Sequence, residues 1–150
     1  MDTSNRILLI EDHPDDIELT LDALATHNLA NEVVVVEDGA EALDYLYRRG
    51  KYRMRAKAQP AVILLDLKLP KVDGLEVLRI IKNDDELKVI PVVVLTSSRE
   101  EPDLMTSYRL GVNAYVVKPV NFDQFVEAIK QLGVFWVLVN EPPNGSVPKR

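Results

Sequence analysis

With 150 residues, 47% of them apolar and 28% charged, the chain has the makeup of one globular domain with a proper core, and disordered or collagen-like classes are excluded. It contains no cysteine, which rules out a disulfide framework, a thiolate zinc site and a thiol nucleophile. A formal net charge of −6 argues against sequence-independent attraction to nucleic acid, and no apolar run approaches the roughly 20 residues of a membrane span. Residues 1–6 are polar and lack the apolar stretch of a signal peptide, so a cytoplasmic location with no membrane contact is expected.

In chain order, the first apolar run is Ile7, Leu8, Leu9 and Ile10, followed at once by Glu11 and Asp12. Continuous rather than alternating apolarity predicts a strand buried on both faces, as in a parallel sheet covered by helices. Ile17, Leu21 and Leu24 then recur at the spacing of an amphipathic helix. Val33, Val34, Val35 and Val36 repeat the strand pattern, and Leu43 and Leu46 with Tyr47 repeat the helical one. A longer connection carrying Arg48, Arg49, Lys51, Arg53, Arg55 and Lys57 leads to the third run, Val62, Ile63, Leu64 and Leu65, which Asp66 ends. Without a recognition helix, that basic run reads as a solvated loop, not a nucleic-acid site.

Leu75, Leu78 and Ile81, with Val77 and Ile80 beside them, predict the third helix. Val92, Val93, Val94 and Leu95 predict the fourth strand, closed by Thr96 and Ser97. Leu104, Tyr108 and Gly111 leave room for a short helix, and the weaker run Ala114–Val117 makes a fifth strand ahead of Lys118 and Pro119. A last helix is expected from an N-cap at Asn121 through Phe122, Phe125, Ile129, Leu132 and Trp136. Beyond Asn140 the stretch with Pro142, Pro143 and Gly145 breaks any helix, so one domain is expected over 1–140 and a disordered tail over 141–150. Five alternations of strand and helix imply right-handed crossovers and a doubly wound α/β sheet, which binds ligands at the carboxyl ends of its strands.

The informative residues sit at those ends: Glu11 and Asp12 after strand one, Asp66 after strand three, Thr96 and Ser97 after strand four, Lys118 after strand five. Each has a bland explanation as a turn former, helix cap or solvated loop residue. Their ordered recurrence at one sheet edge is what chance rarely arranges. Three converging carboxylates ionise together only if a cation neutralises them, and Mg²⁺ uses one or two carboxylates with waters and phosphate oxygens. A lysine beside them suits phosphoryl transfer, in which a carboxylate is a competent nucleophile and charge spreads over the transferred oxygens. His13 and His27 are too few for a metal cluster.

At these residues the chain resembles the receiver domains of two-component response regulators, over about 7–132. The stretches that carry the resemblance are Leu8-Leu9-Ile10-Glu11-Asp12, Leu64-Leu65-Asp66-Leu67-Lys68-Leu69-Pro70, Asp73-Gly74, Val94-Leu95-Thr96-Ser97 and Val117-Lys118-Pro119. The resemblance implies a flavodoxin-like fold of five parallel strands in the order 2-1-3-4-5 with five helices. It implies a signalling protein, not a dedicated enzyme, that takes a phosphoryl group on Asp66 from a sensor histidine kinase and assists its own phosphorylation and dephosphorylation. Glu11, Asp12, Asp66 and the backbone carbonyl of Lys68 would hold Mg²⁺, Lys118 would pair with the phosphate, and Thr96 and Tyr115 would switch with it. Pro119 matches a residue usually preceded by a cis bond.

Two departures stand out. Glu11 is one methylene longer than the commoner Asp, and Lys68 is an unusual neighbour that could pair with Glu11 or block attacking water, altering the lifetime of the acyl phosphate. The long connection before the third strand and the ending Phe135, Trp136, Val137, Leu138, Val139, Asn140, Glu141, Pro142, Pro143 resemble the small regulators that partner bacterial phytochromes. That likeness implies a light or stress sensor kinase as partner, with the downstream protein target unnamed and a homodimer through the last helix. Core packing is the competing reading of Phe135 and Trp136. The competing functions are a phosphorylation-independent interaction module and an aspartyl-phosphate phosphatase; the latter wants an acid where Lys68 stands.

Overall fold

The computed structural model describes residues 6–26, 32–97 and 100–118, with Asp123 and Glu127. Five strands form one parallel sheet: β1 (Arg6–Ile10), β2 (Glu32–Val36), β3 (Val62–Leu65), β4 (Val92–Thr96) and β5 (Ala114–Val117). Their order is β2-β1-β3-β4-β5, so β1 lies between β2 and β3 and the winding reverses there. Between them run α1 (Pro14–Thr26), α2 (Gly39–Tyr47), α3 (Gly74–Lys82) and α4 (Glu101–Leu110). Of the expected fifth helix only Asp123 and Glu127 are described, both in helical conformation; Pro119, Phe135, Trp136 and the tail over 141–150 lie outside the described residues.

Period-two burial divides the core in two. Leu8, Ile10, Ile63, Leu65, Val92 and Val94 face α2 and α3, where they pack with Leu43, Leu46, Val77, Leu78 and Ile81. Ile7, Leu9, Val62, Leu64, Val93 and Leu95 face the other way, toward Leu24 and Ile17 of α1. The central strands are buried on both sides, as continuous apolar runs require. β2 departs from that expectation: Val33, Val34 and Val35 are only half-buried, because an edge strand has a neighbour on one side alone.

Two helices also differ from their predicted stripes. In α2 the buried aromatic is Tyr45, while Tyr47 turns outward and donates its hydroxyl to Asp84 at 2.6 Å. In α4 Leu104 and Tyr108 face solvent, and Ser107 is the buried residue of the helix. Gly111 ends α4 in the left-handed region, at φ 103°, as a helix C-terminus favours.

The long connection between α2 and β3 is folded. It opens with a short 3₁₀ turn, Gly50–Tyr52, and is held by Arg55. That guanidinium lies 4.1 Å from the Tyr45 ring centroid and donates to the carbonyls of Tyr45, Ala56 and Ala58 and to Gln59. Arg49 pairs with Asp44, Lys51 with Glu41, and Arg53 donates to the Gly50 carbonyl, so with Arg55 four of the six basic residues are spent on local structure.

The β3–α3 loop is set by close approach. Asp73 caps α3 by accepting from Leu75 N–H, and a Cβ on Gly74 would lie 2.4 Å from the Asp66 carbonyl oxygen and 2.5 Å from Leu67 Cα. Both are backbone atoms and cannot rotate aside. Gly74→Ala should therefore destabilise the domain by about 2–3 kcal/mol, as overpacking in a tight site does. Urea denaturation measures it, and a midpoint equal to the parent's would mean that the loop yields.

Candidate functional site

Three strand ends build the site. Glu11 leaves β1 with its N–H donating to the Val36 carbonyl at 3.0 Å, and Asp66 leaves β3 with its N–H donating to Ile10 at 3.0 Å. Both carboxylates are thus pinned by sheet hydrogen bonds, one residue beyond the strands that flank the reversal point. The β5 end is tied in the same way, with Lys118 N–H donating to the Thr96 carbonyl at 2.8 Å. The Lys118 ammonium reaches across the edge to Glu11 Oε1 at 2.6 Å, Asp16 Oδ2 at 2.9 Å and Asp66 Oδ2 at 3.3 Å.

The remaining acid, Asp12, is exposed at the rim. One carboxylate oxygen from each of Glu11, Asp12 and Asp66 lies within 4.8 Å of the other two. All three donors are hard oxygens, two of them buried, which fits a small divalent cation.

The electrostatics say the same. The side chains of Glu11, Asp66 and Lys118 are only 3, 10 and 11% exposed. Burial pushes the Glu11 carboxyl up to about 7; the Lys118 hydrogen bond opposes the rise and the nearby Asp66 charge adds to it. For Lys118, burial opposes the charge, but hydrogen bonds to Glu11 and Asp16 and the charges of Asp66 and Glu11 outweigh it, and the ammonium is held above its ordinary value. One ammonium therefore serves more negative charge than it can neutralise.

The family profile described as "Response regulator receiver domain" matches residues 7–130. The chain belongs to the response-regulator receiver family. Response regulator Rcp1 of Synechocystis sp. is 41% identical over 131 residues, 87% of this chain and 88% of that protein. The solved bacteriophytochrome response regulator AtBRR is 64% identical, with a TM-score of 0.83 over 93% of this chain and all of the other. The receiver domain of sensor histidine kinase PA1611 from Pseudomonas aeruginosa, solved with a magnesium ion coordinated in its active-site cleft, is 25% identical, with a TM-score of 0.68 over 87% of this chain and 98% of that one.

Of the residues singled out by sequence, this receiver brings Glu11, Asp12, Asp66 and Lys118 together. Thr96 is the last residue of β4 and fully buried, Ser97 follows it in the open, and Tyr115 is half-buried in β5 against the core on the α2–α3 side. Lys68 departs from its expected pairing. Its backbone N–H approaches Asp66 Oδ1 at 3.4 Å, but its ammonium turns outward to Asp103 in the first turn of α4, at 3.6 Å, and Glu11 is taken by Lys118.

Asp16, in the first turn of α1, is the residue that strand-end reasoning misses. An acid in a first helical turn is fully explained by the helix dipole, and nothing in the local pattern separates it from Asp15.

A divalent cation bound to the folded state alone should stabilise this receiver. With Mg²⁺ at a hundred times its Kd the gain is about 2.7 kcal/mol, roughly 5–10 °C in thermal midpoint for a domain of this size. Excess chelator should reverse the shift, and Asp12→Ala, which removes the exposed carboxylate of the cluster, should abolish most of it. Melting curves that ignore Mg²⁺ in the parent would dismiss the acid cluster as a metal site.

Proposed function

We propose that this receiver takes a phosphoryl group on Asp66 from a sensor histidine kinase, with Mg²⁺ held by Glu11, Asp12, Asp66 and the Lys68 carbonyl. The observation that carries the reading is the Lys118 ammonium within 3.3 Å of Asp66 beside the three-acid cluster. In the transfer an Asp66 oxygen forms the new O–P bond as the N–P bond of a phosphohistidine protonated on its other ring nitrogen breaks, leaving an acyl phosphate and a neutral imidazole that keeps that proton. The cation supplies positive charge to the transferred oxygens. Lys118 supplies a second positive charge from within the protein, already held near its point of use, so little reorganisation is needed as charge develops. Thr96 and Ser97, at the end of β4, are the hydroxyls on hand for a remaining oxygen.

The likeness to bacteriophytochrome response regulators supports a phytochrome-type kinase as donor. Movement of Thr96 toward the new dianion would free space for Tyr115 and bias the α4–β5 face toward a protein target. The phosphatase alternative loses support from Lys68, which stands where a second acid would be needed and whose ammonium pairs with Asp103.

Incubation with Mg²⁺ and acetyl phosphate, followed by intact mass measurement, should add one phosphoryl group to the parent and none to Asp66→Asn. No adduct on the parent from acetyl phosphate or a phytochrome-type kinase would refute the assignment. Lys118→Ala should label at least about 100-fold more slowly, given what losing one preorganised charge contact to a transition state costs.

A further inference from the structure

An ammonium has three N–H donors, and all three of those on Lys118 are matched by a carboxylate at 2.6, 2.9 or 3.3 Å. The three acceptors are not equivalent. Glu11 and Asp66 also belong to the trio whose oxygens converge within 4.8 Å, so a cation there draws on both of them. Asp16 stands outside that trio. It is also carried differently, on the first turn of a 13-residue helix and not on a strand-end loop. Its other near neighbour, His13 Nδ1, is at 3.9 Å and belongs to an exposed ring. Asp15, one residue earlier, is exposed and satisfies the helix dipole just as well, so the dipole does not account for Asp16 turning inward to the lysine.

We propose that Asp16 is a positioning residue for Lys118, holding the ammonium in place when Glu11 and Asp66 turn their charge to a cation or a phosphoryl group. The inference rests on the phosphoacceptor reading of Asp66 for its consequence, but not for its geometry. Without Asp16, the third N–H of Lys118 turns back to Glu11 or Asp66 and competes there with the cation and the incoming group. With an amide at position 16 the acceptor oxygen remains, and most of the positioning with it.

Two measurements on the full chain test this. In the first, the rate of Asp66 labelling by acetyl phosphate at saturating Mg²⁺ should fall about tenfold in Asp16→Ala, the worth of one hydrogen bond to a charged group. Asp16→Asn should recover to within about threefold of the parent for the same reason. In a Lys118→Ala background, Asp16→Ala should cost nothing further, because a residue that acts only through Lys118 has nothing left to position. A purely structural Asp16 would instead lower the melting temperature and slow labelling in both backgrounds.

The second measurement needs no phosphoryl transfer. In ¹⁵N-labelled protein with Mg²⁺, the Lys118 ammonium should give a resolved, slowly exchanging Nζ signal, lost or broadened in Asp16→Ala and kept in Asp16→Asn. An Asp16→Ala rate equal to the parent's, an effect that persists without Lys118, or an Nζ signal missing from the parent or unmoved by Asp16→Ala would each overturn the proposal. If the parent takes no phosphoryl group, the functional reading fails while the Nζ signal still decides the role of Asp16.

Discussion

The Lys118 ammonium, nearly buried among Glu11, Asp16 and Asp66, is the interaction on which the carboxyl edge of the sheet depends. Sheet hydrogen bonds fix where Glu11 and Asp66 emerge, and neither can retreat to water without disturbing the strand behind it. Two carboxylates so placed repel each other at low dielectric, and stripping the lysine away would leave an uncompensated buried charge, a defect that costs about 3–5 kcal/mol. The ammonium therefore belongs to folding before it belongs to chemistry. Because Asp12 and Asp16 add further negative charge beside it, the resting arrangement satisfies the protein's hydrogen bonds without satisfying its charge. That residual negative potential is what a divalent cation answers.

The rest of the fold brings these groups within reach and keeps other elements away from them. Gly74 lets the start of α3 press onto the backbone of Asp66 and Leu67, and Gly39 lets α2 do the same at Val72, where a Cβ would lie 1.9 Å from the carbonyl oxygen. The loop after Asp66 is thereby clamped between two helix starts. The long α2–β3 connection is secured by Arg55 against Tyr45, and Arg6 of β1 donates to the Tyr45 hydroxyl at 3.0 Å. Arg49, Lys51, Arg53 and Arg55 are structural fasteners of this connection, apart from the carboxylate cluster.

Much of this is legible in the sequence, for a physical reason. Strands buried on both faces write themselves as continuous apolar runs, and in a parallel sheet every run ends on the same edge. Glu11, Asp66, Thr96 and Lys118 can therefore be brought together from their places after those runs. What the pattern leaves out are side chains whose direction no period dictates. Asp16 meets Lys118 across 102 positions from a helix start that accounts for an acid without any partner. Lys68 sits in a loop between Glu11, just past β1, and Asp103 on α4; Lys118 takes Glu11, and the Lys68 ammonium lies against Asp103. Tyr45 and Tyr47 are both compatible with a broad apolar arc, and hydrogen bonds to Arg6 and Asp84 decide which of them turns inward. The half-burial of Val33, Val34 and Val35 depends on the strand order, which a run of valines does not encode.

Among the described helices α4 buries little, and that bears on how a change at Asp66 could travel. Its fully buried residue is Ser107, whose hydroxyl has no hydrogen-bond partner among the described residues, and Leu110 is partly buried against the core, while Leu104, Met105 and Tyr108 remain in solvent. An unsatisfied buried hydroxyl costs about 1–3 kcal/mol, and apolar side chains left in water return nothing to offset it. A helix held so lightly has a small free-energy gap to a neighbouring position, the property expected of elements that move. It is also the helix that Lys68, two residues beyond Asp66, touches through Asp103. A new negative charge on Asp66 would compete for that exposed ammonium at little cost, since a surface ion pair is worth about 1 kcal/mol or less. The Lys68–Asp103 pair and the light seat of α4 act in the same direction: both would let this face shift at little cost when the charge on Asp66 changes.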